Sequence, residues 1–294
     1  MVALSEQTLG TAQGRLFQTS EKLAARPFLK WAGGKSRLLP ELRRYLPKQG
    51  YARYIEPFLG GGAFFFDLAP ESAILGDSNP ELINCYEAVR DEPDNVLGAL
   101  SELRVTERDY YRIRSWEPRK LTRTVRAARL IYLNKTCFNG VYRVNKDGQF
   151  NTPFGKYDEK LSLVDPVNLH ATSRALGRAE LICGDYREVL AVSRADDFVY
   201  LDPPYLPVSQ FADFKRYTKE FFYEGDHEKL AAEFGRLARL GCHALLSNSF
   251  HKKIATLYSA HTQRTVLVPR FVNCKGTGRG SVTELLISNY LPET

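Results

Sequence analysis

The feature that most constrains this chain is an alternation of short apolar strands with helices, interrupted once near its middle. A strand is predicted at residues 54–58, where it runs into three glycines, and a helix follows at 63–68. A second strand covers 73–77, and Pro80 then opens another helix, because proline fits the first helical turn. Strands that alternate with helices predict an α/β fold with a parallel sheet, of which this is the front β-α-β unit.

The alternation stops between about Asp91 and Asp158, where basic helical segments and a turn-rich stretch occupy the chain. It resumes at residue 179 and continues almost to the end. We therefore expect one α/β domain interrupted by an inserted module. The second half of the domain is predicted to contain strands at 179–185, 198–202 and 242–247, helices at 226–240 and 252–259, and closing β-rich runs at 264–271 and 282–290.

Composition narrows the possible classes of function. The chain has 294 residues and a net charge of +7, so a polyanion is a plausible partner. No apolar run reaches the roughly 18 residues of a membrane span, so no membrane association is expected. Residues 1–26 are polar and predict a flexible extension without a signal peptide, hence a cytoplasmic protein. The five cysteines are widely spaced and no Cys/His pair has metal-ligand spacing, so no metal is expected.

The strongest chemical signal is the tetrapeptide Asp202, Pro203, Pro204 and Tyr205, here called the DPPY turn, which directly follows an apolar strand. Its prolines end the strand and fix a carboxylate, a carbonyl and an aromatic face at the carboxyl end, where ligands bind in α/β sheets. The exocyclic amine of a nucleobase needs such a set, because its conjugated lone pair is a poor nucleophile. Hydrogen bonds to Asp202 and to the Pro203 carbonyl would favour the pyramidal amine that attacks an electrophile. An ordinary Pro-Pro loop is the alternative.

A second signal is the glycine-rich turn at 56–62, followed by Asp77 at the end of the next strand. Glycines let the backbone approach a ligand, and an acid at this place can bind ribose hydroxyls. The dinucleotide pattern lacks its third glycine because position 65 is Phe65, so a mononucleoside such as S-adenosylmethionine fits better. A glycine-rich strand–helix turn without a ligand is about equally compatible with this pattern.

A third segment, residues 30–36, contains Gly34-Lys35-Ser36 and so is similar to a phosphate loop. That motif needs a glycine at position 29, which is Leu29, and the phosphate-loop interpretation is therefore excluded. A tryptophan and two lysines around a flexible glycine pair remain. They are suited to closing over an adenosine or to touching a phosphate, and a surface turn with solvated lysines is the alternative.

The interrupting module is strongly basic. From Arg104 to Lys146 twelve basic residues face three acidic ones, a local net charge of +9 that exceeds the charge of the whole chain. Six aromatic residues interleave with them, and phosphate contacts beside aromatic wedges are what duplex binding with base extrusion requires. Residues 141–150 around Asp147-Gly148 predict a hairpin, which can enter a major groove. A solvated helix face explains residues 122–134, but it accounts less well for the hairpin.

With these motifs in this order, the chain resembles the Dam-type DNA adenine-N6 methyltransferases of the alpha class. The resemblance extends from Pro27 to Tyr290. It implies a Rossmann-like S-adenosylmethionine-dependent methyltransferase fold with an inserted, mainly helical target-recognition domain that carries a β-hairpin. It rests on residues 28–35, 56–62, 77–84, 138–140 and 150–157 and on the DPPY turn. The implied parts are a flexible extension at 1–26, a catalytic domain at 27–90 and 159–294, and the target-recognition insertion at 91–158.

The resemblance also implies site residues. Trp31, Lys35, Asp77 and Asp202 match positions that contact S-adenosylmethionine, and Asp185 matches one near the cofactor adenine. Catalysis is assigned to the DPPY turn. The remaining predicted cofactor residues belong to the same motifs and are Ala32, Gly33, Glu56, Phe58, Gly60, Gly62 and Ser78.

For DNA, Phe138 and Asn139 match positions that intrude into the helix beside the flipped adenine. Val141 stands where some enzymes specific for GATC carry leucine, and Phe138 where some carry tyrosine; both changes are conservative, so GATC is the expected site. Four residues match positions at which members specific for GATC contact their bases, namely Lys30, Val141, Arg143 and Pro153. The rest of the predicted DNA-binding set is Arg126, Lys135, Asn145, Lys275 and Arg279.

The expected activity is methyl transfer from S-adenosylmethionine to adenine N6 in double-stranded DNA, by base flipping and direct in-line transfer, with S-adenosylhomocysteine as product. Cytosine-N4 methylation stays open, although it more often has serine at position 202. A catalytically inactive DNA-binding regulator of the same fold also stays open. We expect a monomer, encoded by a bacterium or phage and held at the nucleoid by DNA, with a cognate restriction endonuclease as an open further partner.

Overall fold

The computed structural model of the chain describes residues 24–158, 160–206, 222–269 and 281–292. These residues form one sheet, in which the first five strands run parallel and the last is antiparallel to both of its neighbours. The strands are β1 (Tyr54–Glu56), β2 (Ala73–Asp77), β3 (Ala179–Cys183), β4 (Phe198–Leu201), β5 (His243–Ser249), β6 (Thr262–Pro269) and β7 (Ser281–Ser288). Their order across the sheet is β3-β2-β1-β4-β5-β7-β6. The sheet confirms the predicted α/β fold and fits a Rossmann-like methyltransferase.

Helices cover both faces of this sheet, because neighbouring residues of a strand point to opposite sides. Phe198 of β4 packs into one hydrophobic cluster, and the next residue, Val199, packs into the other. The helices are α1 (Leu39–Arg43), α2 (Ala63–Leu68), α3 (Pro80–Asp91), α4 (Pro93–Ser101), α5 (Glu107–Arg114), α6 (Arg123–Thr136), α7 (Pro166–Leu176), α8 (Tyr186–Ala191), α9 (Glu224–Leu240) and α10 (Lys252–Leu257). Within the described residues, no helix is long and apolar enough to cross a membrane.

Local sequence signals explain the element boundaries near the site. The predicted helix at 63–68 and the predicted strand at 73–77 are confirmed at both ends. The predicted strands at 54–58 and 179–185 were too long. Strand β1 ends at Glu56 because Pro57 cannot donate a backbone hydrogen bond, and β3 ends at Cys183 because Asp185 caps helix α8 instead.

The inserted stretch packs into the same core as the sheet. Helix α6 lies along α3, and Leu130 of α6 and Tyr110 of α5 belong to the hydrophobic cluster that also contains Leu75 of β2. The hairpin predicted at 141–150, hereafter the recognition hairpin, is confirmed by an antiparallel bridge between Val144 and Phe150. The hairpin therefore follows helices that pack against the sheet, and this packing fixes its position relative to the sheet.

Candidate active site

The predicted catalytic residues lie at the carboxyl edge of the parallel strands. The DPPY turn follows β4 at the centre of the sheet, between β1 and β5. Glu56 ends β1 on one side, and Ser247 lies in β5 on the other, one residue beyond the Leu201–Leu246 pair. Carboxyl ends of neighbouring parallel strands meet at one edge, so residues far apart in sequence come together here.

Both carboxylate oxygens of Asp202 have partners. Lys35 Nζ lies 2.7 Å from Oδ2, and the Ser247 hydroxyl donates to Oδ1 at 3.0 Å. The Tyr200 hydroxyl lies 2.9 Å from Ser247 Oγ and must be the donor of that pair, because the single Ser247 proton goes to Asp202. Burial raises the pKa of Asp202, against the lowering effects of Lys35 and then Ser247. The carboxylate is thus held in one orientation.

The aromatic member of the turn, Tyr205, is held as firmly. Its hydroxyl donates to Glu284 Oε2 at 2.9 Å, and Lys35 Nζ lies 4.8 Å from its ring centroid. Burial raises the pKa of Glu284, which Lys35 partly offsets. The backbone between these two side chains is set by Pro203, which is buried, and by Pro204, which is exposed. The ring is therefore preoriented as a flat surface beside the carboxylate.

Lys35 acts on three carboxyl groups at this edge: it pairs with Asp202, and its charge also acts on Glu56 and Glu284. Its side chain is only 7% exposed and donates a hydrogen bond to the Gly33 carbonyl at 2.7 Å. Glu56, 3% exposed, accepts a hydrogen bond from the Tyr54 hydroxyl at 2.9 Å. Burial holds the pKa of Glu56 well above its ordinary value, and the neighbouring Asp202 raises it further. Lys35 favours the charged form of Glu56, Asp202 and Glu284, and so opposes the rise in their pKa values that burial causes.

The glycine turn and Asp77 form a second, adjacent part of the edge. The Gly60 amide donates to Asp77 Oδ2 at 3.0 Å, and the Asn79 amide donates to Oδ1 at 2.9 Å. Gly60 has a φ of +49°, and a Cβ there would lie 2.8 Å from Cδ1 of Trp31, so only glycine fits. Gly62 also has a positive φ and is the N-cap residue that precedes helix α2. Each Asp77 oxygen retains a second lone pair for a ligand hydroxyl.

The other predicted cofactor residues lie around this part. Trp31 covers the glycine turn, and Phe58 stacks on Tyr186 with ring centroids 5.3 Å apart. Asp185 follows β3, next to β2, where its side chain caps α8 and binds Arg187. Ala32 and Gly33 lie between Trp31 and Lys35, and Ser78 is exposed beside Asp77.

The predicted DNA-contacting residues divide into two groups. On the exposed side, Phe138 is 50% exposed and Asn139 adopts a left-handed conformation with a φ of +55°. The Arg143 Nε donates to Asn151 Oδ1 at 2.8 Å, which orients its guanidinium. Lys30 Nζ lies over the Tyr157 ring at 5.1 Å. Three further positions form the second group, and they are held by hydrogen bonds within the insertion. The Val141 carbonyl accepts a hydrogen bond from the Thr152 hydroxyl, the Pro153 carbonyl accepts one from the Phe138 backbone amide, and the Asn145 side chain caps the hairpin turn.

The charge count of the insertion overstates what is available to DNA, because part of it is used inside the protein. Arg126 binds Glu81 of α3 at 2.6 Å, and the buried Arg129 donates to the carbonyls of Ile113 and Arg114. Lys135 is half-buried, and its pKa is lowered by that burial. A role of Arg126 in DNA binding would require breaking its ion pair. Lys275 and Arg279 lie outside the described residues.

The sequence patterns do not single out Tyr200, Ser247 or Glu284, although all three support the DPPY turn. Ser247 follows the apolar part of its strand, and Glu284 lies in a β-rich run with no flanking motif. Their proximity to Asp202 and Tyr205 depends on the order β4-β5-β7, in which the last strand turns back antiparallel. A usable signal was the polar pair Ser247-Asn248 at the carboxyl end of a strand, where ligand-site residues collect.

Comparison with known proteins agrees with this geometry. A family described as D12 class N6 adenine-specific DNA methyltransferase matches residues 31–269. A type II methyltransferase of Lactococcus lactis subsp. cremoris is 36% identical over 277 residues, covering 92% of this chain and 97% of the relative. A type II methyltransferase of Methanocaldococcus jannaschii is 37% identical over 290 residues, covering 91% and 100%. The DNA adenine methylase of Escherichia coli K12 is 34% identical over 267 residues, covering 89% and 94%.

Proposed function

The chain belongs to the D12 class of N6 adenine-specific DNA methyltransferases, and from that premise we propose that it methylates adenine N6 within GATC sites of duplex DNA. The methyl donor is S-adenosylmethionine, the product is S-adenosylhomocysteine, and the transfer is a direct in-line displacement on a flipped adenine. The observation that carries this proposal is the Asp202 carboxylate, oriented by Lys35 and Ser247 beside the Tyr205 ring.

The residues around Asp77 suit the proposed methyl donor. The glycine turn lets the Trp31 indole lie directly against the backbone at Gly60, and the Asp77 oxygens keep lone pairs for ribose hydroxyls. Trp31 and Phe58 supply flat apolar surfaces beside the turn. When bound, S-adenosylmethionine supplies a methyl group on a positively charged sulfur, which makes that methyl electrophilic. The aspartates and the aromatic rings both favour a cationic nucleoside at this edge.

The DPPY turn would act on the adenine amine. One N–H of the amine donates to Asp202 Oδ2, which has room for a second hydrogen bond beside Lys35, and the other donates to the Pro203 carbonyl. These bonds localise the nitrogen lone pair and orient it, while Tyr205 stacks on the base. The amine nitrogen bonds to the methyl carbon as the carbon–sulfur bond breaks, S-adenosylhomocysteine leaves with that electron pair, and the nitrogen then releases one proton to solvent. No residue of the turn forms a covalent bond with the substrate in this scheme, because the amine itself is the nucleophile.

Extrusion of the target adenine needs a group to replace it in the duplex. Phe138 and Asn139 suit this role, because they are exposed at the start of the recognition hairpin and the Asn139 backbone is held in a left-handed turn. Flipping costs a few kcal/mol, and stacking of the extruded base on Tyr205 would recover about 1–3 kcal/mol.

Recognition of GATC would come from Lys30, Val141, Arg143 and Pro153 on the same side of the protein. A guanidinium that binds guanine O6 and N7 contributes about 1–3 kcal/mol of discrimination, and Arg143 is already oriented by Asn151. Duplex DNA is thus the macromolecular partner. A cognate restriction endonuclease stays a prediction, favoured by the type II names of two relatives, and so does the monomeric state.

The proposal is tested by incubating the protein with methyl-labelled S-adenosylmethionine and a short duplex that contains one GATC. The control duplex has the same composition with the four bases reordered. We expect label in N6-methyladenine on the GATC duplex only, after digestion to nucleosides and chromatography. Label in N4-methylcytosine would contradict the adenine chemistry, and equal label in both duplexes would contradict the site specificity.

A further inference from the structure

We propose that Tyr142, a residue of the recognition hairpin, belongs to the cofactor site, because it holds Trp31 in place over the glycine turn. This inference rests on the proposed function of that site. Tyr142 is therefore a positioning residue that acts on the cofactor through Trp31, and the hairpin serves cofactor binding as well as DNA recognition.

The first observation is the contact between the two rings. The Tyr142 and Trp31 centroids are 5.2 Å apart, with an interplanar angle of 24°, which is a stacked pair. Phe150, on the opposite arm of the hairpin, packs edge-on with Tyr142 at 5.4 Å. Tyr142 is buried, so its ring is held by a second residue of the hairpin while it stacks on the indole.

The second observation is where the indole lies. Its Cδ1 and Nε1 atoms would be 2.8 and 3.1 Å from a Cβ on Gly60, so the indole lies directly against this glycine. Gly60 is also the residue whose amide binds Asp77. A shift of the indole would therefore change the walls of the space beside the ribose-binding acid. The Tyr142 phenol lies near the side chain of Asn79, which comes two residues after Asp77. Burial raises the pKa of Tyr142, and Asn79 opposes that rise.

The third observation is that the backbone beside Trp31 is also held by the insertion. Asn134 of α6 is fully buried; its Oδ1 accepts from the Lys30 amide at 2.7 Å, and its Nδ2 donates to the Lys30 carbonyl at 2.6 Å. A Cβ on Gly140 would lie 2.7 Å from the Lys30 side chain, so the start of the hairpin packs directly on this segment. Asn134 and Tyr142 thus fix two consecutive residues, one predicted to touch DNA and the other to touch the cofactor.

These contacts couple the two ligands. If DNA orders the hairpin, it orders Tyr142 and hence Trp31, so DNA should tighten cofactor binding. Linkage then requires that the cofactor tighten DNA binding by the same factor. Removal of the Tyr142 ring should weaken cofactor binding in the absence of DNA and should reduce the coupling in its presence.

The test measures the affinity of the full chain for S-adenosylhomocysteine by titration calorimetry, without DNA and with a saturating GATC duplex. The variants are Tyr142→Ala, Tyr142→Phe and, as the control from an exposed position of the same hairpin, Gln149→Ala. We expect Tyr142→Ala to weaken S-adenosylhomocysteine binding by about three- to tenfold, in line with the strength of an aromatic pair. Tyr142→Phe keeps the stacked ring and should bind within about twofold of the wild type.

Gln149→Ala should bind S-adenosylhomocysteine like the wild type, both without and with the duplex. Wild-type affinity of Tyr142→Ala, both with and without DNA, would overturn the inference. If thermal unfolding shows that Tyr142→Ala is not folded, Tyr142→Leu fills the space without an aromatic face and should show the same loss. Failure of the wild-type protein to bind S-adenosylhomocysteine would contradict the proposed function itself, a result distinct from a change confined to Tyr142.

Discussion

The carboxyl edge of the sheet and the basic insertion use charged side chains in opposite ways. At the edge, the charged groups are few and largely or partly buried, and Lys35, Glu56 and Glu284 all surround Asp202 or its neighbour Tyr205. In the insertion they are numerous, yet Arg126 and Arg129 bind partners within the protein. Convergence on one carboxylate, and not the number of charges, distinguishes the proposed catalytic region.

This contrast shows what a local charge excess can indicate. The +9 net charge between Arg104 and Lys146 favours a polyanionic partner for the region as a whole. It does not identify the contacting residues, because an arginine on α6 can bind α3 as readily as a phosphate. A motif such as the DPPY turn is more informative, since its prolines fix the geometry of its own carboxylate.

The largest expected effect comes from the edge itself. Asp202→Ala removes the acceptor that is proposed to orient the target amine, and methyl transfer to a GATC duplex should fall by about a thousandfold or more. Binding of S-adenosylhomocysteine and of DNA should persist, since Asp77 and the hairpin are untouched. Single-turnover transfer measures the loss, and near-normal turnover of this variant would refute the catalytic assignment.

A smaller loss is expected at the neighbouring acid. Asp77→Ala removes a carboxylate that accepts the Gly60 and Asn79 amides and is proposed to bind ribose hydroxyls. S-adenosylhomocysteine affinity should fall by about 10- to 100-fold, as expected for charge-assisted hydrogen bonds. Calorimetric titration measures it, and DNA affinity in the absence of cofactor is the control. Unchanged S-adenosylhomocysteine affinity would remove Asp77 from the cofactor site.

The insertion offers a pair of arginines that tests the contrast directly. Arg143→Ala should reduce, by about tenfold, the discrimination between a GATC duplex and a duplex in which one guanine is replaced, because the guanidinium that is proposed to read a guanine is lost. Arg126→Ala should change discrimination by less than about twofold, and it should lower the midpoint of thermal unfolding because a half-buried ion pair of about 1 kcal/mol is lost. Equal loss of discrimination in the two variants would show that the local charge count predicts DNA contacts better than internal ion pairing does.

The smallest expected effect concerns the orientation of Asp202. Ser247→Ala removes the hydrogen bond to Oδ1 and should lower kcat by about fivefold, with little change in KM. This bond lowers the pKa of Asp202, so its removal raises that pKa. Activity that needs the charged carboxylate is lost as pH falls through the pKa, so the acid limb of the rate profile should move to higher pH.

Ser247→Thr, which keeps the hydroxyl, is the control for that shift, and it should restore the wild-type limb. An acid limb that stays in place in Ser247→Ala would show that Ser247 does not act on Asp202.

Much of this molecule could be predicted from local sequence. The strand at 73–77, the glycine turn and the hairpin are specified by adjacent residues: apolar runs, positive-φ glycines and an Asp-Gly turn. The supporting residues of the site could not be predicted in this way. Ser247 and Glu284 lie 45 positions from Asp202 and 79 positions from Tyr205, respectively, and only the strand order of the folded sheet brings them together.

The internal ion pairs of the insertion were missed for the same reason. Arg126 and Glu81 are 45 positions apart, and their pairing follows from the packing of α6 along α3. Helical periodicity places Arg126 on an exposed face of an isolated helix, but it does not show which neighbouring helix supplies a partner. The assignment of individual basic residues to DNA therefore needed the tertiary structure.

The most direct test of the account maps modified bases in DNA from cells that lack endogenous adenine methylation and express either the wild-type chain or Asp202→Ala. The account predicts N6-methyladenine on both strands at GATC sites with the wild-type chain, and none above background with Asp202→Ala. Methylation at a different sequence would contradict the assigned specificity. Methylation that survives in Asp202→Ala would contradict the central claim that the carboxylate at the end of β4 directs the transfer.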